Sequence, residues 1–109
     1  MSNPLSPNSL KGKVALVTGS SRGIGADTVT YFAEAGASVL VNYRNKEARA
    51  LKIVAAIEEK GSKAISYGAD LTDQQAVEGM FEAAEAAFGK LDILVMNASG
   101  GMELSLIHI

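Results

Sequence analysis

The residues with the clearest chemical potential are three glycines in residues 18–25, which read Thr-Gly-Ser-Ser-Arg-Gly-Ile-Gly. Glycine permits positive φ angles and lets a ligand approach the backbone closely. Between a strand and a helix, Gly19, Gly23 and Gly25 predict a loop whose free N–H groups bind a phosphate. The spacing differs from the G-x-G-x-x-G dinucleotide fingerprint, and no Lys-Ser/Thr pair follows as in a P-loop. A plain strand-to-helix turn is the alternative.

The flanking sequence supplies the strand and the helix that such a loop requires. Val14–Val17 is a short apolar run bounded by turn residues, which is typical of a strand buried in a parallel sheet. A helical pattern starts at Gly23, and Gly36 stands where a glycine would end that helix. The residues that recur at helical spacing are Ile24, Thr28, Tyr31, Phe32 and Ala35.

The rest of the chain alternates between strand and helix patterns. Strands are predicted at residues 39–41, 63–68 and 93–96, with a turn at 42–46. The second helix has one apolar side, formed by Ala50, Ile53, Val54 and Ile57, and is closed by Gly61. The third helix is expected to start with a capping box of Thr72 and Gln75. Its predicted buried face consists of Val77, Met80, Phe81, Ala84 and Phe88.

This βαβαβαβ order predicts an α/β fold, a Rossmann-type doubly wound parallel sheet with helices on both faces. With right-handed crossovers and the strand order 3-2-1-4, the first two helices cover one face and the third covers the other. A ligand crevice then opens at the carboxyl ends of strands one and four. The glycine loop and the small polar stretch at residues 97–100 follow those two strands. Both stretches therefore flank the predicted crevice.

Composition restricts the function classes. The chain has 109 residues, a formal net charge of −2 and no cysteine. One domain is therefore expected, with no nucleic-acid or anionic-membrane partner, no disulfide and no cysteine-ligated zinc. No apolar run reaches the roughly 20 residues of a membrane span, so the cytoplasm is the default location. Residues 1–10 have the composition of a flexible lead.

Three stretches, residues 18–25, Asp70-Leu71 and Asn97-Ala98, resemble the N-terminal half of a short-chain dehydrogenase/reductase, particularly the 3-oxoacyl-carrier-protein reductase-like members. The resemblance covers residues 11–101 and implies that the glycine loop holds the cofactor pyrophosphate. It places Asp70-Leu71 at the adenine and the Asn97 stretch at the ribose. Met96 and Ser99 depart from the usual Asn-Asn-Ala-Gly. The cofactor-binding residues so implied are Gly19, Ser20, Ser21, Arg22, Gly23, Ile24, Gly25, Asp70, Leu71, Asn97, Ala98 and Ser99.

Charge at the end of the second strand bears on the choice of cofactor. An NAD enzyme usually places Asp or Glu there, whereas an NADP enzyme offers Arg to the 2′-phosphate. Here Tyr43 and Arg44 follow Asn42, and Arg22 lies in the glycine loop. We therefore predict NADP(H) rather than NAD(H), with Tyr43 and Arg44 in the site. The alternatives are that Arg44 is a solvated turn residue, that Asp70 only caps a helix, and that Asn97 only ends a strand.

The catalytic residues of this family have no counterpart in the chain. Its members reduce carbonyls with a tyrosine four residues before a lysine, aided by a serine. The tyrosines here, Tyr31, Tyr43 and Tyr67, precede other residues at that spacing. The resemblance implies a hydride transfer between nicotinamide and a small-molecule carbonyl or alcohol in an intact, homo-oligomeric enzyme, and this fragment is expected to be inactive. The alternative is a non-catalytic dinucleotide-binding or sensor module; a methyltransferase is a weaker option.

The last residues have a possible origin outside the gene. Residues 102–109 are assigned to a tail, and residues 104–109 can be back-translated to a transposon end used as a sequencing adapter. The hypothesis excludes this tail from the fold. The fourth strand would then be an exposed apolar edge, which is prone to aggregation. The alternative is a native strand-like tail, and the nucleotide sequence decides between the two.

Overall fold

A single five-stranded sheet organises the protein, and the computed structural model describes residues 9–97 and 104–108. Strands and helices alternate until the last two strands. Their bounds are β1 Val14–Val17, α1 Gly23–Glu34, β2 Ser38–Tyr43, α2 Glu47–Glu59, β3 Ala64–Gly68, α3 Gln74–Phe88, β4 Ile93–Asn97 and β5 Leu104–His108.

The strand order is β3-β2-β1-β4-β5, which confirms the predicted order 3-2-1-4 for the parallel part of the sheet. Val17, the last residue of β1, pairs with Val41 on β2 and with Val95 on β4. The pairings among β1, β2, β3 and β4 are all parallel, as expected for strands joined by helical crossovers. The carboxyl ends of β1 and β4 therefore lie side by side.

The expectation that β4 is an exposed edge is wrong. The backbone of β5 pairs with it antiparallel, with Asn97 opposite Leu104 and Ile93 opposite His108. An unpaired strand presents a row of N–H and C=O groups to any chain of suitable length. Residues 104–108 of the tail, which the adapter hypothesis excludes from the fold, pair with these backbone groups of β4. This pairing leaves the origin of residues 104–109 a hypothesis.

Two hydrophobic clusters cover opposite faces of the sheet, as the predicted winding requires. On one face, Val17, Val39 and Val41 pack with residues of α1 and α2, such as Val29 and Ile57. On the other face, the cluster is formed by Leu16, Leu40, Ala69, Met80, Ala84 and Leu94. Residues of β1 are buried on both sides, because successive side chains point to opposite faces. The continuous apolar run at 14–17 is the sequence signature of that environment.

The packed side of α1 agrees only in part with the residues that recur at helical spacing in the sequence: Phe32 packs against the α1/α2-side cluster and Ala35, which caps the helix, is buried. Its buried residues are Gly25, Val29 and Ala33, whereas Ile24 is 40% exposed. Thr28 donates its hydroxyl to the Ile24 carbonyl within the helix at 2.7 Å. Apolar spacing located the helix and its C-terminal contacts but misplaced the inner face of its first turn, because Gly25 at that face carries no hydrophobic signal.

The N-cap of α3 is Asp73, so the predicted capping box of Thr72 and Gln75 is wrong. An oxygen of the Asp73 carboxylate accepts hydrogen bonds from the N–H groups of Gln75 at 3.0 Å and Ala76 at 3.3 Å. An ionised acceptor near the positive end of the helix dipole is a favourable cap. Thr72 instead donates both its N–H and its hydroxyl to the carboxylate of Asp70.

Two boundaries also differ from the expectation. Asn42 and Tyr43 belong to β2, where they pair with Tyr67 and Gly68 of β3, rather than to a turn. At the start of the chain, Leu10 packs against the α1/α2-side cluster and donates its N–H to the Ala35 carbonyl at 2.8 Å. The packed part of the chain thus includes Leu10, one residue earlier than predicted.

An acidic residue at the amino end of the sheet makes stability dependent on pH. Burial raises the pKa of Asp92, but the hydrogen bond from the Val14 N–H (2.8 Å) and the ion pair with Lys90 (3.2 Å) outweigh it, so this pKa is lowered. Its stabilising contribution is therefore present above the unfolded-state value of about 3.9 and is lost as pH falls through the lower folded-state value.

We expect Asp92→Asn to reduce the difference in unfolding free energy between about pH 6 and about pH 3, as measured by denaturant titration. The amide carries no charge at either pH, so the contribution of residue 92 to the pH dependence of the unfolding free energy disappears. A variant whose unfolding free energy changes with pH as much as that of the parent chain would contradict this account.

Candidate cofactor site

The candidate site lies where the carboxyl ends of β1 and β4 meet. Thr18, buried just after β1, donates its N–H to the Val95 carbonyl at 3.0 Å. Its hydroxyl accepts the N–H of Asn97 at 2.8 Å. These bonds continue the pairing of the two strands beyond Val17. The start of the glycine loop and Asn97 are therefore held together at one crevice, as predicted from the strand order.

Gly25 packs directly on Gly19, and this contact excludes any side chain at position 25. A Cβ on Gly25 would overlap the Gly19 carbonyl oxygen and would lie 2.8 Å from Asn97 Nδ2. The Asn97 amide donates to that same carbonyl at 3.2 Å. Gly19 itself has a φ of 59°, in the left-handed region that favours glycine. The first turn of α1 is thereby drawn close to the ends of β1 and β4.

The start of α1 has the properties of an anion site. The first hydrogen bond of the helix runs from the Ala26 N–H to the carbonyl of the N-cap residue Arg22 at 3.3 Å, so the N–H groups of residues 23–25 have no partner within the helix. No side chain caps this end, and no acidic residue occupies the first turn. Gly23 has a φ of 62°, and a Cβ there would meet nothing within 4 Å. The loop therefore offers open backbone donors at the positive end of a helix.

The side chains of the loop differ in their availability. Arg22 and Ile24 are exposed and Ser21 is half-buried. Ser20 is fully buried: its hydroxyl donates to the Val17 carbonyl at 2.6 Å and accepts the Asn42 N–H at 2.8 Å. Its own N–H donates to the Asn42 carbonyl at 2.9 Å. Ser20 thus supports the loop through both of its donor groups.

The end of β2 forms a second part of the site. Arg44 Nη2 lies 3.4 Å from Asp70 Oδ2, in an ion pair of exposed side chains. The other Asp70 oxygen accepts the N–H and the hydroxyl of Thr72, at 2.9 Å and 2.8 Å. These Thr72 hydrogen bonds, with a smaller effect of Arg44, lower the pKa of Asp70. Leu71 is exposed beside them. The structure therefore brings together Arg44 and Asp70, which the sequence reasoning assigned separately.

Tyr43 is fixed at this end by its hydroxyl and its ring. The hydroxyl donates to Glu47 Oε2 at 2.9 Å, and this hydrogen bond raises the tyrosine pKa, with smaller effects from burial and from the Glu47 charge. The ring packs so closely on Gly68 that a Cβ there would lie 2.8 Å from it. These two contacts hold the Tyr43 side chain at the end of β2.

A dinucleotide fits these features. The uncapped start of α1 has open backbone N–H groups, and Arg22 and Arg44 carry exposed guanidinium groups; both kinds of group can bind phosphate. Ala98 and Ser99, which complete the predicted set, lie outside the described residues. Within residues 9–97, no group of three or more His, Asp or Glu side chains could hold a metal ion. No helix in the described part is long and apolar enough to cross a membrane.

A surface groove between α1 and α2 is separate from this site. Its lining combines apolar residues with the hydroxyl residues Thr30 and Ser62 and the charged residues Glu34, Lys52 and Lys60. The charged groups of Glu34 and Lys60 lie 3.8 Å apart. None of the predicted cofactor-binding residues lines it.

Sequence reasoning missed one functional candidate, Asn42. Its side chain is buried and accepts the Gly19 N–H at 2.8 Å. The signal was a polar residue at the end of an apolar strand, which was interpreted as the start of a turn.

Known proteins resemble the chain over most of its length. The family model described as short chain dehydrogenase matches residues 13–108. Elsinochrome reductase 1 from Elsinoe fawcettii is 49% identical over 94 residues, which cover 86% of this chain and 35% of the relative. A hydroxynaphthalene reductase-like protein from Metarhizium robertsii is 47% identical over 92 residues, which cover 84% and 34%. The chain thus spans about a third of the length of these relatives.

Solved structures of dehydrogenases also resemble the chain over most of its length. A short chain dehydrogenase from Burkholderia cenocepacia, crystallised with NADP, has a TM-score of 0.82 and 48% identity, covering 84% of this chain and 38% of that one. A hydroxysteroid dehydrogenase from Escherichia coli has a TM-score of 0.79 and 40% identity, covering 84% and 38%. With the fold and the family model in agreement, the chain belongs to the short chain dehydrogenase family.

Proposed function

We propose that the chain is the cofactor-binding part of an NADP(H)-dependent oxidoreductase. The observation that carries the proposal is the close contact of Gly25 with Gly19, which places the uncapped start of α1 at the crevice between β1 and β4. Backbone N–H groups and a helix dipole directed at one point favour a pyrophosphate. The NADP in the Burkholderia cenocepacia relative supports the nucleotide class.

The preference for NADP(H) rests on the charges around the end of β2. Neither Tyr43 nor Arg44, which follow Asn42 there, offers a carboxylate to a ribose 2′-hydroxyl. The Arg44 guanidinium is exposed and suits a phosphate. Asp70, which accepts hydrogen bonds from Thr72, also pairs with that guanidinium at 3.4 Å. A 2′-phosphate would therefore meet a positive group that is positioned by the protein.

In the intact enzyme, a bound nicotinamide cofactor would supply hydride chemistry between a small-molecule carbonyl and the corresponding alcohol. The residues of this chain bind and orient the cofactor: the loop holds phosphate, and Asn97 fixes the loop to β4 through the Gly19 carbonyl. The chain contains no Tyr-x-x-x-Lys to act on the substrate oxygen. We therefore propose that it binds cofactor without turnover. From the family resemblance we also propose that the intact enzyme is a homo-oligomer.

Fluorescence titration of the chain with NADPH and NADH tests this function. We expect NADPH to bind more tightly by about tenfold or more, since a charge-assisted contact contributes about 1.5–3 kcal/mol. Carbonyl compounds added to the NADPH complex should not increase the rate of NADPH oxidation. Equal dissociation constants for the two cofactors would contradict the NADP(H) assignment, and the absence of binding of either would contradict the proposed function.

A further inference from the structure

A single buried side chain, that of Asn42, joins the two parts of the candidate site. It lies at the end of β2 with 2% of its surface exposed. Its Oδ1 accepts the N–H of Gly19, the first glycine of the loop, at 2.8 Å. Its Nδ2 lies 3.2 Å from the carbonyls of Tyr43 and Tyr67 and 3.4 Å from that of Ala69. The amide thus connects the end of β1 with the ends of β2 and β3.

Two of these carbonyls belong to the residues that directly precede Arg44 and Asp70. Tyr43 directly precedes Arg44, and Ala69 directly precedes Asp70. The amide therefore holds the backbone just before both members of the exposed ion pair. Since it also holds Gly19, it fixes the distance between the glycine loop and the Arg44–Asp70 pair. A ligand that contacts both parts depends on that distance.

The backbone of Asn42 reinforces the same connection. Its N–H donates to the Ser20 hydroxyl at 2.8 Å, and its carbonyl accepts the Ser20 N–H at 2.9 Å. An asparagine side chain offers one acceptor and an NH₂ donor on the same plane, and both are used here. Aspartate would keep the acceptor for Gly19 but would direct a carboxylate at buried carbonyls. Alanine would leave the N–H of Gly19 without this acceptor.

We infer that Asn42 is a positioning residue for the cofactor, because it sets the pyrophosphate loop at a fixed distance from the Arg44–Asp70 end of the site. The inference rests on the proposed function and adds to it a residue that contacts no ligand itself. A site that is already ordered before the ligand arrives loses less conformational entropy on binding, so its affinity is higher. The benefit applies to a ligand that spans both parts and not to one that contacts a single part.

Two ligands separate this role from a general effect on folding. NADPH spans the loop and the Arg44 end, whereas adenosine 2′-monophosphate has the 2′-phosphate without the pyrophosphate. In Asn42→Ala we expect the affinity for NADPH to fall by about tenfold or more. The affinity for adenosine 2′-monophosphate should change by less than about threefold, because the Ala69 N–H still donates to the Tyr43 carbonyl at 2.9 Å and holds the Arg44–Asp70 end together. Asn42→Ser, which retains a small polar group too short to reach Gly19, should show the same pattern.

The matched control is Asp92→Asn. Asp92 accepts the N–H of Val14 at the opposite end of β1, and the substitution weakens this contact by removing the charge of the acceptor. It is expected to lower the thermal stability while keeping the parent affinity for both ligands. All titrations are made at a temperature where circular dichroism shows each variant folded.

Each outcome bears on a different claim. If the parent chain binds NADPH, and Asn42→Ala or Asn42→Ser binds it equally well, the inference is wrong and the proposed function stands. If an Asn42 variant loses both ligands to the same extent, the positioning role is also wrong. If Asn42→Ala does not fold, the result with Asn42→Ser decides. A parent chain that binds neither ligand overturns the proposed function and the inference together.

Discussion

Gly25→Ala is expected to weaken NADPH binding by about tenfold or more and to lower the free energy of unfolding by about 1–3 kcal/mol. The added Cβ would overlap the Gly19 carbonyl oxygen and crowd the Asn97 amide. Relief of that overlap requires α1 to move away from the ends of β1 and β4. The N–H groups at the start of α1 would move with it. NADPH titration and denaturant unfolding of the same preparation measure both effects.

Gly61→Ala is the matched control for this substitution. Gly61 has a φ of 96°, and a Cβ there would meet nothing within 4 Å. Alanine is strained in that conformation by about 1–2 kcal/mol, so the control is destabilised to a similar extent. It follows the far end of α2 and should bind NADPH as the parent chain does. Unchanged NADPH affinity in Gly25→Ala would show that the glycine contact does not shape the site.

Arg44→Asp is expected to abolish the preference for NADPH over NADH. The substitution removes a guanidinium and places a carboxylate near Asp70, so that two negative charges face a 2′-phosphate. Loss of a charge-assisted hydrogen bond costs about 1.5–3 kcal/mol, which corresponds to about 10–100-fold in NADPH affinity. The affinity for NADH should change much less, since its 2′-hydroxyl carries no charge.

The control for Arg44→Asp is Lys52→Asp, which makes the same change in net charge on α2, beside the surface groove. It should keep the ratio of NADPH to NADH affinity, because the effect of a distant exposed charge is screened by salt. Retention of the NADPH preference in Arg44→Asp would remove Arg44 from the site. An equal loss of preference in both variants would indicate an effect of net charge alone.

The sequence was sufficient for the parts of the fold that depend on repeated local patterns. Apolar runs such as 14–17 and 93–95 predicted buried strands, and glycines at 36 and 61 marked the ends of helices. The handedness of crossovers then gave the strand order, and with it the meeting of the glycine loop and Asn97. These features require no knowledge of individual tertiary contacts.

What the sequence did not predict depends on single long-range contacts. The inner face of α1 includes Gly25, whose role is to have no side chain against Gly19. Asn42 resembled a turn residue, because the partners of its buried side chain outside β2 lie in two distant stretches, the glycine loop and the end of β3. At the start of α3, the residue types of Thr72 and Asp73 both suit an N-cap. Thr72 donates its N–H and hydroxyl to Asp70, and Asp73 caps the helix.

The central claim is that a dinucleotide binds at the glycine loop, and an NMR titration of the ¹⁵N-labelled chain with NADPH tests it most directly. The account predicts amide shifts concentrated at the loop and at the end of β2, including Gly23 and Arg44, with smaller changes near Asp70 and Asn97. Amides of the groove between α1 and α2, such as those of Ala56 and Lys60, should remain unchanged. Shifts concentrated in that groove, with the loop unaffected, would contradict the account.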